Sequence, residues 1–223
     1  MHVGLIVGIG PAATDYYYRS LIAQMAAAGS ELELTMVHAD TMTLLANQAA
    51  DDKDAQVRIY EHLARTLQAA GARRVAVTSI AGHFCIRAFE QVSPLPVIDL
   101  LTAVNHQVQS EGLRRVGLLG TRGVMLSQIY GALTDVESVA PEGDVLEAVH
   151  EAYVTMAATA HCTDQQRELF LEAGRAMVDE AGAEAVLLAG TDLALAFDGI
   201  TSFPIVDCAA AHVEAIVAAA VQS

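Results

Sequence analysis

The stretch QAAGARRVAVTS, residues 68–79, has a second version in DEAGAEAVLLAG, residues 179–190. In both, an Ala-Gly pair precedes an apolar run that is typical of a buried strand. Gly71 and Gly182 are equivalent positions, 111 residues apart, and the two strands end at Ser79 and Gly190. The chain therefore contains two equivalent strand ends.

Two further pairs repeat in the same order. VGLI at residue 3 returns as VGLL at residue 116, and LPVIDL (95–100) returns as FPIVDC (203–208). Three matched pairs with similar offsets indicate an internal duplication rather than shared composition. We therefore predict two similar halves.

The alternation of short β-rich apolar runs with Ala- and Leu-rich helical segments is typical of an α/β protein with parallel sheets. The predicted strands are VGLIVG (3–8), LELTMVH (32–38), VAVTS (75–79), PVID (96–99), VGLLGT (116–121), ESVA (137–140), AVLLAG (185–190) and PIVD (204–207).

The predicted fold is α/β, with two pseudo-symmetric Rossmann-like halves, each a short, mainly parallel sheet flanked by helices. The first half comprises residues 1–98 plus 208–223, and the second comprises 99–207. Because ligands bind beyond the carboxyl ends of parallel strands, we expect an active-site cleft between the halves. Ser79 and Gly190 would flank this cleft.

Composition excludes several functions. The chain has 12 Lys and Arg against 27 Asp and Glu, a net charge of −15, and Lys53 is its only lysine. Because no basic stripe can neutralise phosphates, we expect no nucleic-acid partner. The N-terminus lacks a basic region and no apolar run is long enough to cross a bilayer, so we expect no signal peptide and no membrane partner.

Three cysteines, an odd number without metal-ligand spacing, indicate a reducing cytoplasm. Neither a metal nor a pyridoxal cofactor is indicated. The expected partner is a small-molecule substrate, whose carboxylate would have to be held locally because the acidic surface repels anions.

The first candidate site is the loop GIGPAATD, residues 8–15, in which Gly8, Ile9 and Gly10 precede a predicted helix. Backbone N–H groups at a helix start can hold a carboxylate, although a purely structural turn is an equal alternative. The third glycine of the dinucleotide fingerprint is replaced by Ala13.

The second candidate is VTSIAGH, where Thr78 and Ser79 end a strand and His83 begins a helix. A hydroxyl beside an imidazole can form a nucleophile and base pair. His83 could instead bond the backbone at a helix entry.

The remaining polar candidates lie at other strand ends and helix starts. Asp192 could act in catalysis or cap a helix, and Cys162 could be a base or a small buried hydrophobe. His150 and His212 lie in helical runs and are expected to be packed or exposed. The expected substrate contacts at these positions are His38, Thr121, His161 and Thr191.

The ordered motifs GIGPAATDYYYR, GARRVAVTSIAGH, RRVGLLGTRGVM, GAEAVLLAGTDL and FPIVDCAAAH resemble the aspartate/glutamate racemase family, in its aspartate racemase branch. The resemblance covers essentially the whole chain. It implies a cofactor-independent enzyme and a homodimer. In this family two thiols at equivalent strand ends flank the substrate Cα; one thiolate removes a proton, and the other thiol donates its own proton from the opposite face.

The chain departs from this family where the substrate should lie. The thiol positions fall on Ser79 and Gly190, and the polar pair after the first thiol falls on Ile80 and Ala81, while His83 is retained. A serine hydroxyl is a far weaker acid than a thiol. Gly190 is thus predicted to be a vacated catalytic position, which admits a bulkier substrate or exposes its backbone N–H to an anion.

Four hypotheses remain open. The first is a racemase or epimerase with substitute bases, with Ser79 and His83 on one side and Cys162, His161 or Asp192 on the other. The second is a one-sided enzyme such as a decarboxylase. The third is an isomerase, lyase or cyclase acting on a more apolar substrate, which Ile80 and Ala81 favour. The fourth is a binding protein without catalysis.

Overall fold

The computed structural model describes residues 1–8, 10–197 and 201–221. The chain divides into two compact units: residues 1–100 together with the segment from His212 onward, and residues 101–211. The domain limits predicted from the sequence stay a prediction, as does the cleft between the halves.

The first unit alternates strands and helices. Its elements are β1 (His2–Val7), α1 (Pro11–Ala27), β2 (Glu33–His38), α2 (Thr41–Ala49), α3 (Lys53–Ala69), β3 (Arg74–Val77), a 3₁₀ turn (Ala81–Cys85) and α4 (Ile86–Val92). The three strands form a parallel sheet in the order β2-β1-β3. Every residue of β1 is buried, as expected for a central strand covered on both faces.

The second unit repeats this plan with an additional strand. Its elements are α5 (Leu100–Ser110), β4 (Arg115–Gly120), α6 (Arg122–Leu126), the single turn α7 (Gln128–Gly131), β5 (Glu137–Val139), α8 (Gly143–Thr159), α9 (Asp164–Asp179), β6 (Ala185–Ala189), a 3₁₀ turn (Leu193–Leu195) and β7 (Ile205–Asp207). The last helix, α10 (Cys208–Val221), begins in this unit and belongs to the first unit from His212 onward. The strand order is β5-β4-β6-β7, and all pairings are parallel.

One strand prediction was wrong. Residues 96–99 do not form a strand but a single bridge, in which Val97 pairs with Val75. Pro96 has no N–H to donate, so the pairing is limited to the Pro96 carbonyl and the Ile98 N–H, each bonded to Val75. This bridge nevertheless lies beside β3, as β7 lies beside β6, so the two sheets share one strand order.

The predicted fold class is confirmed: the chain is α/β and consists of two halves, each with a parallel sheet and helices. The duplicated motifs account for it, because VGLI and VGLL lie on β1 and β4, the central strands of the two sheets next to β3 and β6 respectively. Ser79 and Gly190 accordingly follow equivalent strands.

Candidate functional site

The loop after β1 requires glycine at residue 8. Gly8 has a φ of +100°, and a Cβ there would collide with the His38 ring. Two hydroxyls hold its backbone: the Gly8 N–H donates to Thr14 Oγ1 at 3.2 Å, and Thr41 Oγ1 donates to the Gly8 carbonyl at 2.7 Å. The backbone of Gly8 is therefore held on both its N–H and its carbonyl side.

The other candidates near this loop are Gly10, Ile9 and His38. Gly10 is the N-cap of α1 and Pro11 is its first residue, as predicted, while Ile9 lies outside the described residues. His38 lines an open pocket of about 490 Å³ in the first unit; its other polar lining residues are Asp40, Arg58 and His62.

The end of β3 is buried. Ser79 is 4% exposed, and its Oγ accepts a weak hydrogen bond of 3.4 Å from the Gly82 N–H. The Thr78 hydroxyl donates to the Ile6 carbonyl of β1 at 3.3 Å. Ile80 and Ala81 are buried apolar side chains. The Ser79 hydroxyl is thus held by a weak contact of 3.4 Å to the backbone and keeps its own proton for other partners.

His83 does not activate the Ser79 hydroxyl. Its Nδ1 lies 2.6 Å from the Ser79 carbonyl oxygen, which only accepts, so Nδ1 carries the proton and Nε2 has the lone pair. Nε2 is buried and has no hydrogen-bond partner in the described part of the chain, and Asp99 Oδ1 lies 3.8 Å away. The described structure therefore shows the alternative to a hydroxyl–imidazole pair: His83 bonds the backbone at a helix entry.

The surroundings of His83 keep the ring neutral. Burial lowers the pKa of His83, and the nearby Asp99 carboxylate opposes this only in part. Asp99 is itself held by Arg87, whose Nη1 lies 3.0 Å from Asp99 Oδ2. His83 therefore fixes the Ser79 backbone and, through it, the position of the Ser79 side chain.

At the end of β6, the space beside Gly190 is filled. A Cβ at Gly190 would lie 2.8 Å from Cζ and 3.1 Å from Oη of Tyr153, a residue of α8. The expectation that Gly190 admits a bulkier substrate was therefore wrong, because an aromatic ring of the same unit occupies the volume of the missing side chain.

The phenol of Tyr153 contacts the other polar groups of this strand end. Its hydroxyl donates to Asp192 Oδ2 at 3.4 Å, and Thr191 also lies next to the phenol oxygen. Asp192 is 3% exposed and Thr191 is 2% exposed. Burial raises the pKa of Tyr153 well above its ordinary value, and the Asp192 charge raises it further, so the phenol keeps its proton at neutral pH.

Cys208 is a second group that the motifs did not reveal. It is fully buried at the start of α10, and the Gly190 backbone lies near its thiol. The expectation that the Gly190 N–H is exposed to an anion stays a prediction. Burial raises the pKa of the Cys208 thiol well above its usual range, so it remains protonated.

The remaining candidates lie at helix starts of the second unit. Thr121 is buried and caps α6, accepting from the Val124 N–H at 3.4 Å. His161 is exposed, and the partly exposed Cys162 donates from Sγ to the Thr163 carbonyl at 3.5 Å. Their suggested roles stay predictions.

Sequence reasoning missed Tyr153, Cys208 and Asp99 for different reasons. Tyr153 lies within a helical run and carried no signal of its own. Cys208 and Asp99 belong to the repeated segments FPIVDC and LPVIDL, where Asp99 matches Asp207 and Cys208 matches the buried Leu100. The duplication could have singled out these positions.

Within the described residues, no helix is both long and apolar enough to span a membrane, and no group of three or more His, Cys, Asp or Glu side chains could hold a metal.

The sequence profile described as Asp/Glu/hydantoin racemase matches residues 6–216. A presumed Asp/Glu racemase from Yersinia pestis superposes with a TM-score of 0.82 at 23% identity, over 100% of both chains. An aspartate racemase homologue from Pyrococcus horikoshii OT3 gives 0.80 at 22% identity, over 100% of this chain and 99% of that one.

The aspartate racemase of Picrophilus torridus gives a TM-score of 0.76 at 19% identity, with 99% of this chain and 94% of the other covered. At such identities the superpositions establish a common fold.

Proposed function

Because the chain belongs to the Asp/Glu/hydantoin racemase family, we propose that it is a cofactor-independent isomerase acting on a small carboxylate or an amino-acid-derived substrate. The reaction removes a proton from the carbon beside the carboxylate and then returns one. The solved structures that resemble the chain, among them an aspartate racemase, support chemistry of this type.

The observation that carries the proposal is the buried carboxylate of Asp192 at the end of β6, next to Gly190. Carboxylates serve as general bases in enzymes, and burial and neighbouring groups can tune their proton affinity. We assign Asp192 as the proton acceptor of the second unit, in place of a thiol.

In the first unit, Ser79 provides the protic group at the equivalent strand end. Its hydroxyl is a weak acid, but the His83 ring holds its backbone at 2.6 Å, which favours a fixed position for the hydroxyl. His83 is thus proposed as a positioning residue. Ser79 and Asp192 are proposed to act in place of the two thiols of the family mechanism, because the matched positions, Ser79 and Gly190, have no sulfur.

Cys162 and His161 are weaker candidates for the base of the second unit. His161 is exposed and Cys162 is partly exposed, whereas Asp192 is enclosed. An enclosed group meets less competition from water for the proton. Substrate contacts are proposed for the remaining predicted residues: Gly8, Ile9, Gly10, His38, Thr78, Ile80, Ala81, Thr121, Gly190 and Thr191.

Deuterium exchange tests this proposal. Each enantiomer of the proteinogenic amino acids is incubated with the protein in deuterated water, and loss of the Cα proton is followed by NMR. We expect exchange with at least one acid, and a fall of at least about 100-fold in Asp192→Asn. Asp179→Asn, at the exposed end of α9, is the control and should retain the rate. No exchange with any acid would contradict the proposal.

A decarboxylase of the same family is the second candidate. It is favoured by Ile80 and Ala81, buried apolar side chains at positions where the family resemblance implies polar ones. This function requires only one proton donor and predicts carbon dioxide release from a substituted malonate. A ligand that is bound unchanged and protects the protein from heat would instead indicate a binding protein.

The family resemblance also leads us to propose a homodimer in the cytoplasm. Light scattering coupled to size-exclusion chromatography tests the first part, since a monomeric mass would contradict it.

A further inference from the structure

Residue 190 is a glycine where the family resemblance implies a thiol, and the side chain of Tyr153 occupies the space beside it. In place of a side chain on Gly190 stands the ring of Tyr153, whose Oη is 3.1 Å from the point where a Cβ would be. A cysteine at this position would carry its sulfur less than 2 Å beyond that point. The phenol oxygen therefore lies in the neighbourhood of the missing sulfur, and it too carries a transferable proton.

The phenol hydroxyl is directed at a buried carboxylate. Its hydroxyl donates to Asp192 Oδ2 at 3.4 Å, and this carboxylate is itself 3% exposed. Asp192 is thus the group that receives the phenol proton when the phenol oxygen takes a proton from the substrate.

We propose that Tyr153 is the proton-transferring group of the second unit and that Asp192 acts through it. This rests on the proposed isomerase function. In the abstraction step the substrate C–H bond breaks and its proton forms a new O–H bond on Tyr153, while the original phenol proton passes to Asp192 Oδ2. The C–H electron pair stays on the substrate, so the negative charge moves from Asp192 to the substrate. The return step is the reverse.

Cys208 does not take this role, although its thiol is also near Gly190. Its side chain is fully buried, with 0% exposure. Tyr153 retains 5% exposure and fills the side-chain space itself. The Tyr153 phenol, and not the Cys208 thiol, therefore occupies the space that a side chain of residue 190 would fill.

The isosteric variant Tyr153→Phe keeps the ring beside Gly190 and removes only the hydroxyl. We expect its exchange and isomerisation rates to fall at least about 100-fold, with a urea midpoint close to that of the parent. Tyr17→Phe is the control, because it likewise removes a buried tyrosine hydroxyl that is hydrogen-bonded, here to His212 Nδ1 at 2.9 Å. If the parent exchanges and Tyr153→Phe keeps its rate within threefold, the proposal is overturned and the isomerase function stands.

A measurement without turnover covers the case in which the isomerase function itself fails. NMR of protein labelled with ¹³Cζ-tyrosine gives six signals, and Tyr153→Phe identifies the one from Tyr153. We expect Asp192→Asn to shift this signal and Asp179→Asn to leave it in place, because the phenol donates to the Asp192 carboxylate. A Tyr153 signal that is the same in both variants and the parent would overturn the proposed relay regardless of activity.

Discussion

The packing of Tyr153 against Gly190 predicts the effect of adding a single methyl group. In Gly190→Ala the new Cβ would lie 2.8 Å from the ring carbon Cζ. Carbon atoms pack at about 3.5–4.0 Å, so the ring would have to withdraw by roughly 1 Å. The Tyr153 side chain is only 5% exposed, so little free volume is available for this movement.

The expected cost follows from two opposing effects. Overpacking a buried site costs about 1–3 kcal/mol, while replacing glycine by alanine restricts the unfolded chain and returns about 0.4–1 kcal/mol. We expect Gly190→Ala to lose about 1–2 kcal/mol of unfolding free energy, measured by urea denaturation with circular dichroism.

A matched control separates this clash from a general intolerance of alanine. Gly117, on β4 of the same unit, faces Met177, with a Cβ at 3.0 Å from the sulfur. Because methionine adapts its shape easily, Gly117→Ala should cost less. In a Tyr153→Leu background the cost of Gly190→Ala should largely disappear. Equal costs in both backgrounds, or a Gly190→Ala protein as stable as the parent, would refute the explanation.

Three further predictions concern stability. Burial lowers the pKa of His212 to about 3 from an ordinary 6.5, so its contribution is present above pH 6.5 and is lost as the pH falls toward 3. At about pH 5 this loss amounts to about 2 kcal/mol of unfolding free energy. In urea denaturation at different pH values, His212→Gln should not show the loss that the parent shows. Parallel pH profiles of the two proteins would contradict the prediction. Thr163→Ala removes the capping box that starts α9 and should cost about 1 kcal/mol in the same assay; an unchanged midpoint would argue against the cap. Gly8→Ala should lower the melting temperature and shift the NMR signals of His38, because the residue has a positive φ and faces that ring; unshifted His38 signals would speak against this packing.

Most of the fold could be predicted from the sequence because its strands are buried on both faces. Continuous apolar runs such as VGLI and AVLLA can be recognised without knowing their neighbours, and the duplication then relates one sheet to the other. The strand prediction for residues 96–99 failed because their pairing depends on which backbone groups are available beside Val75, and Pro96 supplies no donor.

The candidate site was predictable in position but not in detail. Strand ends locate Ser79 and Gly190, since the chain reverses there. Which atom of His83 meets which atom of Ser79 depends on a side-chain rotamer, and the ring that fills the space at Gly190 comes from a helix distant in sequence. A missing side chain at one position is therefore uninformative until the packing around it is known.

The discontinuous make-up of the first unit has a consequence for biosynthesis. His212 Nε2 donates to the Ile98 carbonyl at 2.8 Å, and the Tyr17 hydroxyl contacts Nδ1 of the same ring. The ribosome delivers residues 101–211, a continuous unit, before these contacts can form. Since domains fold as units during translation, the later-encoded unit can be complete while the first still waits for its final helix. Nascent chains released before His212 should consequently expose the apolar surface of the first unit to chaperones.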